Sequence, residues 1–234
     1  MSILDLLHRS SNGKTIKTFA KKFDLVYFGH VDHRYDEHAV VRGVTASTSH
    51  VDRHFAVGNV KGRDISLLER TNSLRFPGKG ENDYHWVIVQ VDLGPATELP
   101  HIFLDAHHHD EVFYSNLYIN FANFQVATNL FINHDGKFAE HFIPYAPSDK
   151  FDTVSEVMST SVTGMLAHHF SHFDYEFDGS TIYIYNSQPV VHEKDLEEMA
   201  RVGLWLADKL EVVQPTGAAD DEAAPAHRMA HENA

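Results

Sequence analysis

In "SILDLLHR" the residues Ile3, Leu6 and Leu7 recur at helical spacing, and after Asn12 and Gly13 the residues Ile16, Phe19 and Phe23 resume it in "KTIKTFAKKF". Apolar positions three and four apart line one side of a helix, so this pattern predicts two short helical pieces or one broken helix. From "FDLVYFGHVD" onward the period shortens towards two. "HAVVRGVTAST" (38–48) and "RHFAVGN" (53–59) are rich in β-branched and aromatic residues and predict strands. "GNVKGRDISLLER" predicts a hairpin turning within residues 58–62, and "FPGKGEND" (76–83) reads as a loop.

"YHWVIVQVDL" (84–93) is almost continuously apolar, the signature of a strand buried on both faces, and Gly94-Pro95 ends it. "LPHIFLDA" (99–106) begins another strand, while residues 110–134 carry both periods and stay open. "FAEHFIPYAP" (138–147) reads as a strand. Thr153, with Glu156 three residues on, has capping-box spacing and opens a predicted helix of about 15 residues. "FDYEFDGSTIYIYNS" (173–187) predicts a hairpin about Asp178-Gly179, with Asp174, Glu176 and Asp178 on a wet face. A last helix is predicted near Asp195, with Glu198 at the capping-box position and Leu196, Met199, Gly203, Leu206 and Leu210 on one side.

This order (helix, many strands, helix, hairpin, helix) predicts an α+β fold: one domain with a mainly antiparallel sheet and flanking helices. Residues 1–23 form a basic helical segment, 24–213 the α+β domain and 214–234 a disordered tail poor in core formers.

Composition sharpens this picture in three places. No cysteine is present, which excludes disulfides, thiolate nucleophiles and Cys-bound metals and favours a reducing, cytoplasmic location. The net charge of −14 disfavours nucleic acid and anionic membrane as partners. The first 22 residues oppose this, carrying Arg9, Lys14, Lys17, Lys21 and Lys22 against Asp5 alone, a local +4 that leaves −18 for the rest. No apolar run reaches the roughly 18 residues needed to span a bilayer, and "MSILDLLHRS" lacks the apolar core of a signal peptide.

Histidine is the outlier, at 19 of 234 residues. Near pH 6.5 such a chain would gain about half a charge per histidine, roughly nine in all, which raises a pH-responsive regulator as one alternative. Metal binding is another. "GHVDHRYDEH" supplies His30 and His33, "HVDRH" supplies His50, Asp52 and His54, and "DAHHHDE" supplies His107, His109, Asp110 and Glu111. Imidazole and carboxylate together suit a divalent metal in a hydrolase or oxygenase. In a chain this rich in histidine, clusters of two or three also arise without any site, and no cofactor is expected by default. The acid–base candidates Asp92, Asp105, His141 and His169 are equally unspecific. Nucleotide loops, nucleophile elbows and zincin motifs are missing from the sequence.

The stretch from 55 to 185 resembles a family of bacterial domains of unknown function. "VGNVKGRDISLLER", "HWVIVQVDL", "FAEHFIPYAP" and the closing "FDYEFDGSTIYIY" carry the resemblance. It implies an α+β fold closed by an Asp-Gly hairpin and brings no active-site residues. Many members look membrane-anchored, whereas this chain has no run for such a helix. The sequence thus points first to a non-catalytic domain that binds a protein or small ligand, through a free sheet edge or the basic N-terminal helix.

Overall fold

A computed structural model of the chain describes residues 3–31, 40–47, 49–76, 80–106 and 123–211, with side chains at all of these except 3–10, 74–76 and 80–82. The strands are β1 (Val26–His30), β2 (Val51–Val60), β3 (Arg63–Phe76), β4 (Gly80–Asp92), β5 (Leu99–Ala106), β6 (Phe124–Val126), β7 (Phe142–Pro147), β8 (Asp174–Gly179) and β9 (Thr181–Asn186). They form one nine-stranded sheet in the order β1-β2-β3-β4-β9-β8-β5-β7-β6. Every pairing is antiparallel. The helices are α1 (Ile3–Lys22), α2 (Gly136–His141), α3 (Phe151–Val157), α4 (Thr160–His169) and α5 (Glu193–Leu210). The fold is therefore α+β and a single domain, as the order of periods predicts.

The apolar run of β4 lies between β3 and β9 and is buried on both faces, with Val87, Val89 and Val91 towards the helices and Trp86 and Ile88 away from them. On the helix face, Ile16, Phe19 and Ala20 of α1 and Leu196, Met199, Val202 and Leu206 of α5 share one core with Leu67, Ile182 and Ile184. The opposite face carries Leu68, Trp86, Ile88, Phe103, Tyr183 and Tyr185, packed against Val41 and Val44 of the connection between β1 and β2.

Turn chemistry sets the two tight hairpins. Lys61 and Gly62 both take positive φ, 53° and 86°, so the β2–β3 loop is the two-residue turn that fits strand twist. Gly179, at φ 58°, opens the equally short β8–β9 turn.

Several local expectations are corrected. Helix α1 runs unbroken through Asn12 and Gly13, because both residues serve contacts described below. Residues 40–47 make turns and no ladder. The expected loop at 76–83 is shorter, since β3 reaches Phe76 and β4 starts at Gly80. Residues 136–141 are helical before β7 because the Asp135 side chain caps them, accepting from the Lys137 N–H. The predicted 15-residue helix is two, α3 and α4, interrupted at Met158 and Ser159. Helix α5 starts earlier than expected, with a capping box between His192 and Asp195. The tail expected from 214 lies outside the described residues.

Candidate functional site

Two charged neighbours in the middle of β3, Glu69 and Arg70, are 2% and 0% exposed. Successive strand residues face opposite sides, so each collects its own polar cluster. On the face away from the helices, Arg70 Nε and Nη2 donate to the two Asp52 oxygens at 2.8 and 2.9 Å. Its Nη1 donates to the Arg42 carbonyl at 3.0 Å and to Thr45 Oγ1 at 3.1 Å, and Nη2 also donates to the Val41 carbonyl. All five N–H groups of the guanidinium thus have acceptors. The side chain fastens residues 41–45 across the sheet.

A second anchor holds the same segment. Glu176 Oε2 accepts from the Val44 N–H at 2.8 Å and from the Tyr185 hydroxyl, while its Oε1 takes His101 Nε2 at 2.7 Å. Gly43, at φ 86°, permits this approach, since a Cβ there would overlap Tyr185 Oη and lie 2.9 Å from Glu176 Oε2. Burial opposes the charge on His101, but its hydrogen bond to Glu176 and the charges of Glu176 and Asp178 outweigh this and raise its pKa. Burial raises that of Asp178. Asp174 and Glu176 are 0% and 1% exposed, which corrects the wet face expected for this hairpin. Segment 41–45 lies over Glu176, and Asp174 Oδ1 accepts from the Ala106 N–H at 2.8 Å.

On the helix face, Glu69 Oε1 accepts from Asn12 Nδ2 at 3.1 Å and pairs with His85 Nε2 at 2.8 Å. Asn12 also donates to the Pro189 carbonyl and accepts from the Val191 N–H, which ties α1 to the loop before α5. His54 sits at a bulge in β2 with φ 57°, its Nε2 3.7 Å from Glu69 Oε2 and its Nδ1 2.7 Å from Tyr27 Oη. Burial lowers the pKa of His54 and raises that of Tyr27, which favours the neutral forms of both partners in this hydrogen bond. Burial also works against the Glu69 charge, but His85 and Asn12 prevail and its pKa falls. The His54 ring fills the space beside Gly13 where a side chain would stand.

Of the residues singled out in the sequence, the described ones fall in separate places. His50 and Asp52 lie on the Arg70 side, 3.6 Å apart, with Asp52 already held by Arg70. His54 turns to the opposite side. His30 is exposed at the end of β1. His33, His107, His109, Asp110 and Glu111 lie outside the described residues. Among the described residues, no three His, Asp or Glu side chains are placed to hold a metal. Asp92 accepts from Gln90, Asp105 is buried in β5, and His141 and His169 end α2 and α4. A groove of about 520 Å³ beside His101 mixes Glu98 and Asp149 with Lys150, and one of about 630 Å³ between α5 and the β2–β3 hairpin mixes Arg63 and Arg201 with Glu197 and Asp208. The sequence reading missed Glu69, Arg70, His85 and His101. Its one signal was a Glu-Arg pair directly after apolar Leu67 and Leu68 in a strand.

The edges differ from this saturated interior. Among the described residues β1 has a strand neighbour only on its β2 side. Its Val26 and Phe28 are each 58% exposed. The opposite edge, β6, has three residues. No helix among the described residues is long and apolar enough to cross a membrane.

Among the described residues, fold and site together define an α+β protein with one nine-stranded antiparallel sheet whose buried Asp52, Glu69, Arg70 and Glu176 have partners within the chain. No family model matches the chain. No curated protein matches it either. Among solved structures it is similar to the mycobacterial trehalose monomycolate transport factor A, TtfA, with a TM-score of 0.59 over 88% of this chain and 98% of that one, at 10% identity. At that identity the likeness is one of fold.

Proposed function

We propose that this protein is a non-catalytic binding domain, cytoplasmic and of a bacterial family, that takes up a partner polypeptide along the outer edge of β1. The observation that carries the reading is the pair Val26 and Phe28, two large apolar side chains that alternate along a terminal strand and stay 58% exposed. An open edge offers unpaired backbone groups to another strand, and alternate side chains give such a contact its apolar anchor. Phe28 stacks on Phe55 at 5.7 Å, which extends the apolar surface onto β2. The buried charges support a binding role over catalysis, because Arg70 and Asp52 satisfy each other and Glu176 is engaged by the Val44 N–H, Tyr185 and His101. The similar fold of a protein named as a trehalose monomycolate transport factor is in keeping with a binding role.

The test is a photo-crosslinking amino acid at position 28, with position 201 on the exposed side of α5 as control, in cells that produce the protein. A discrete adduct from position 28 that is missing from 201 supports the reading. No adduct at 28, or the same adducts from both positions, overturns it.

A further inference from the structure

We propose that the segment taken up by β1 is a short strand in which acidic and apolar residues alternate. The inference rests on the edge-binding reading and specifies the partner's chemistry. Side chains of an extended segment point alternately to the two faces of the sheet it joins. At β1 those two faces differ in kind. One carries Val26 and Phe28 beside Phe55. On the other, Tyr27 lies against α1, with Lys17 Nζ 5.9 Å from its ring centre.

Lys14, Lys17 and Lys21 are three and four residues apart and so share one side of α1. All three are exposed, and among the described residues none has a carboxylate within ion-pairing distance, whereas Lys22, Arg63, Lys194 and Arg201 are paired with Asp or Glu. Lys61, Lys137, Lys150 and Lys209 are also unpaired there but lie apart from one another along the chain. In a chain with 33 acidic and 19 basic residues, most of the surface repels an acidic segment. The ridge beside β1 attracts one.

The same geometry favours a polypeptide over an anionic bilayer. The lysines and the apolar pair stand on opposite sides of one strand, so a planar surface meets one set or the other, while an added strand reaches both. The positive φ of Gly29 and the register shifts on either side of it limit the regular run to the first residues of β1. The recognised segment is accordingly about four to six residues long.

The experiment is a fluorescence-anisotropy titration of the full chain into labelled peptides: alternating Glu-Val repeats, the same residues in block order, Thr-Val repeats and Lys-Val repeats. The alternating acidic peptide is expected to bind, to weaken as salt rises from about 50 mM to about 500 mM, and to weaken about tenfold against Lys14→Glu/Lys17→Glu/Lys21→Glu. Phe28→Ser should weaken it as well, and unchanged circular dichroism of both variants shows that the fold is kept. Equal binding of the Thr-Val peptide overturns the acidic preference and leaves the edge reading standing. No binding of any peptide up to about 1 mM overturns the inference, and if position 28 also gives no crosslink the edge reading falls with it. Sedimentation of the protein with phosphatidylglycerol vesicles, lost in the same variants, would assign the surface to lipid and overturn the inference.

Discussion

Arg70→Met removes the guanidinium that neutralises Asp52 and holds residues 41–45 to the sheet. The Asp52 carboxylate is 0% exposed and would keep only His50, 3.6 Å away. Breaking a buried ion pair by deleting one partner costs about 3–5 kcal/mol, chiefly because the other charge is left without water or counterion. The Val41 and Arg42 carbonyls lose their donor too. Adding Asp52→Val relieves the stranded charge but not the carbonyls, so the double variant should regain about 2 kcal/mol over Arg70→Met alone. The assay is urea unfolding followed by circular dichroism. With a slope of about 3 kcal/mol/M, a loss of about 4 kcal/mol lowers the midpoint by about 1.3 M, and the double variant recovers about 0.7 M of it. Two results would refute the reasoning: a midpoint shift below about 0.3 M in Arg70→Met, or a double variant no more stable than that single one. Either would mean that Arg70 and Asp52 are not mutually dependent.

Two further outcomes follow from the packing and the charges. A Cβ at Gly203 of α5 would lie 2.7 Å from both Ile184 Cδ1 and Val91 Cγ2, whereas one at Gly164 of α4 meets nothing within 4 Å. Gly203→Ala should therefore destabilise by about 1–2 kcal/mol despite better helix propensity, while Gly164→Ala stabilises by about 0.5–1 kcal/mol; thermal melts that move both variants in one direction would contradict this. The raised pKa of His101 means that its pairing with Glu176 contributes fully below the unfolded value of 6.5 and is lost as pH rises through the higher folded value. The stability gap between the wild type and His101→Gln should accordingly be wide at about pH 5.5 and narrow at about pH 8.5, and a gap that widens with pH would sink the assignment.

The elements that could be read along the chain are those whose evidence is local. β4 is written in an apolar run that only burial on both faces explains, and the β8–β9 hairpin in its Asp178-Gly179 turn. Helix α5 is legible in Leu196, Met199 and Leu206, although it begins earlier than its periodicity predicts because Asp195 is not the cap but the third residue of a capping box that accepts from the His192 N–H. Periodicity also suggested a strand at 38–48, where Val41 and Val44 are buried by packing on the sheet and not by a ladder.

By itself, then, the sequence determined the α+β class, the antiparallel sheet and the two tight turns, since these depend on residues a few positions apart. Tertiary structure alone decided where the charges went. Asp174 and Glu176 alternate with aromatics as a solvated face would, and only the covering segment at 41–45, over 130 residues from Glu176, and the end of β5, whose Ala106 N–H reaches Asp174, make them buried acceptors. Asn12 and Gly13 likewise read as a break until Glu69 and the His54 ring, supplied by β3 and β2, give each a reason to stand inside a helix. A buried charge needs partners, and those partners come from strands that are neighbours in the sheet and distant in the chain.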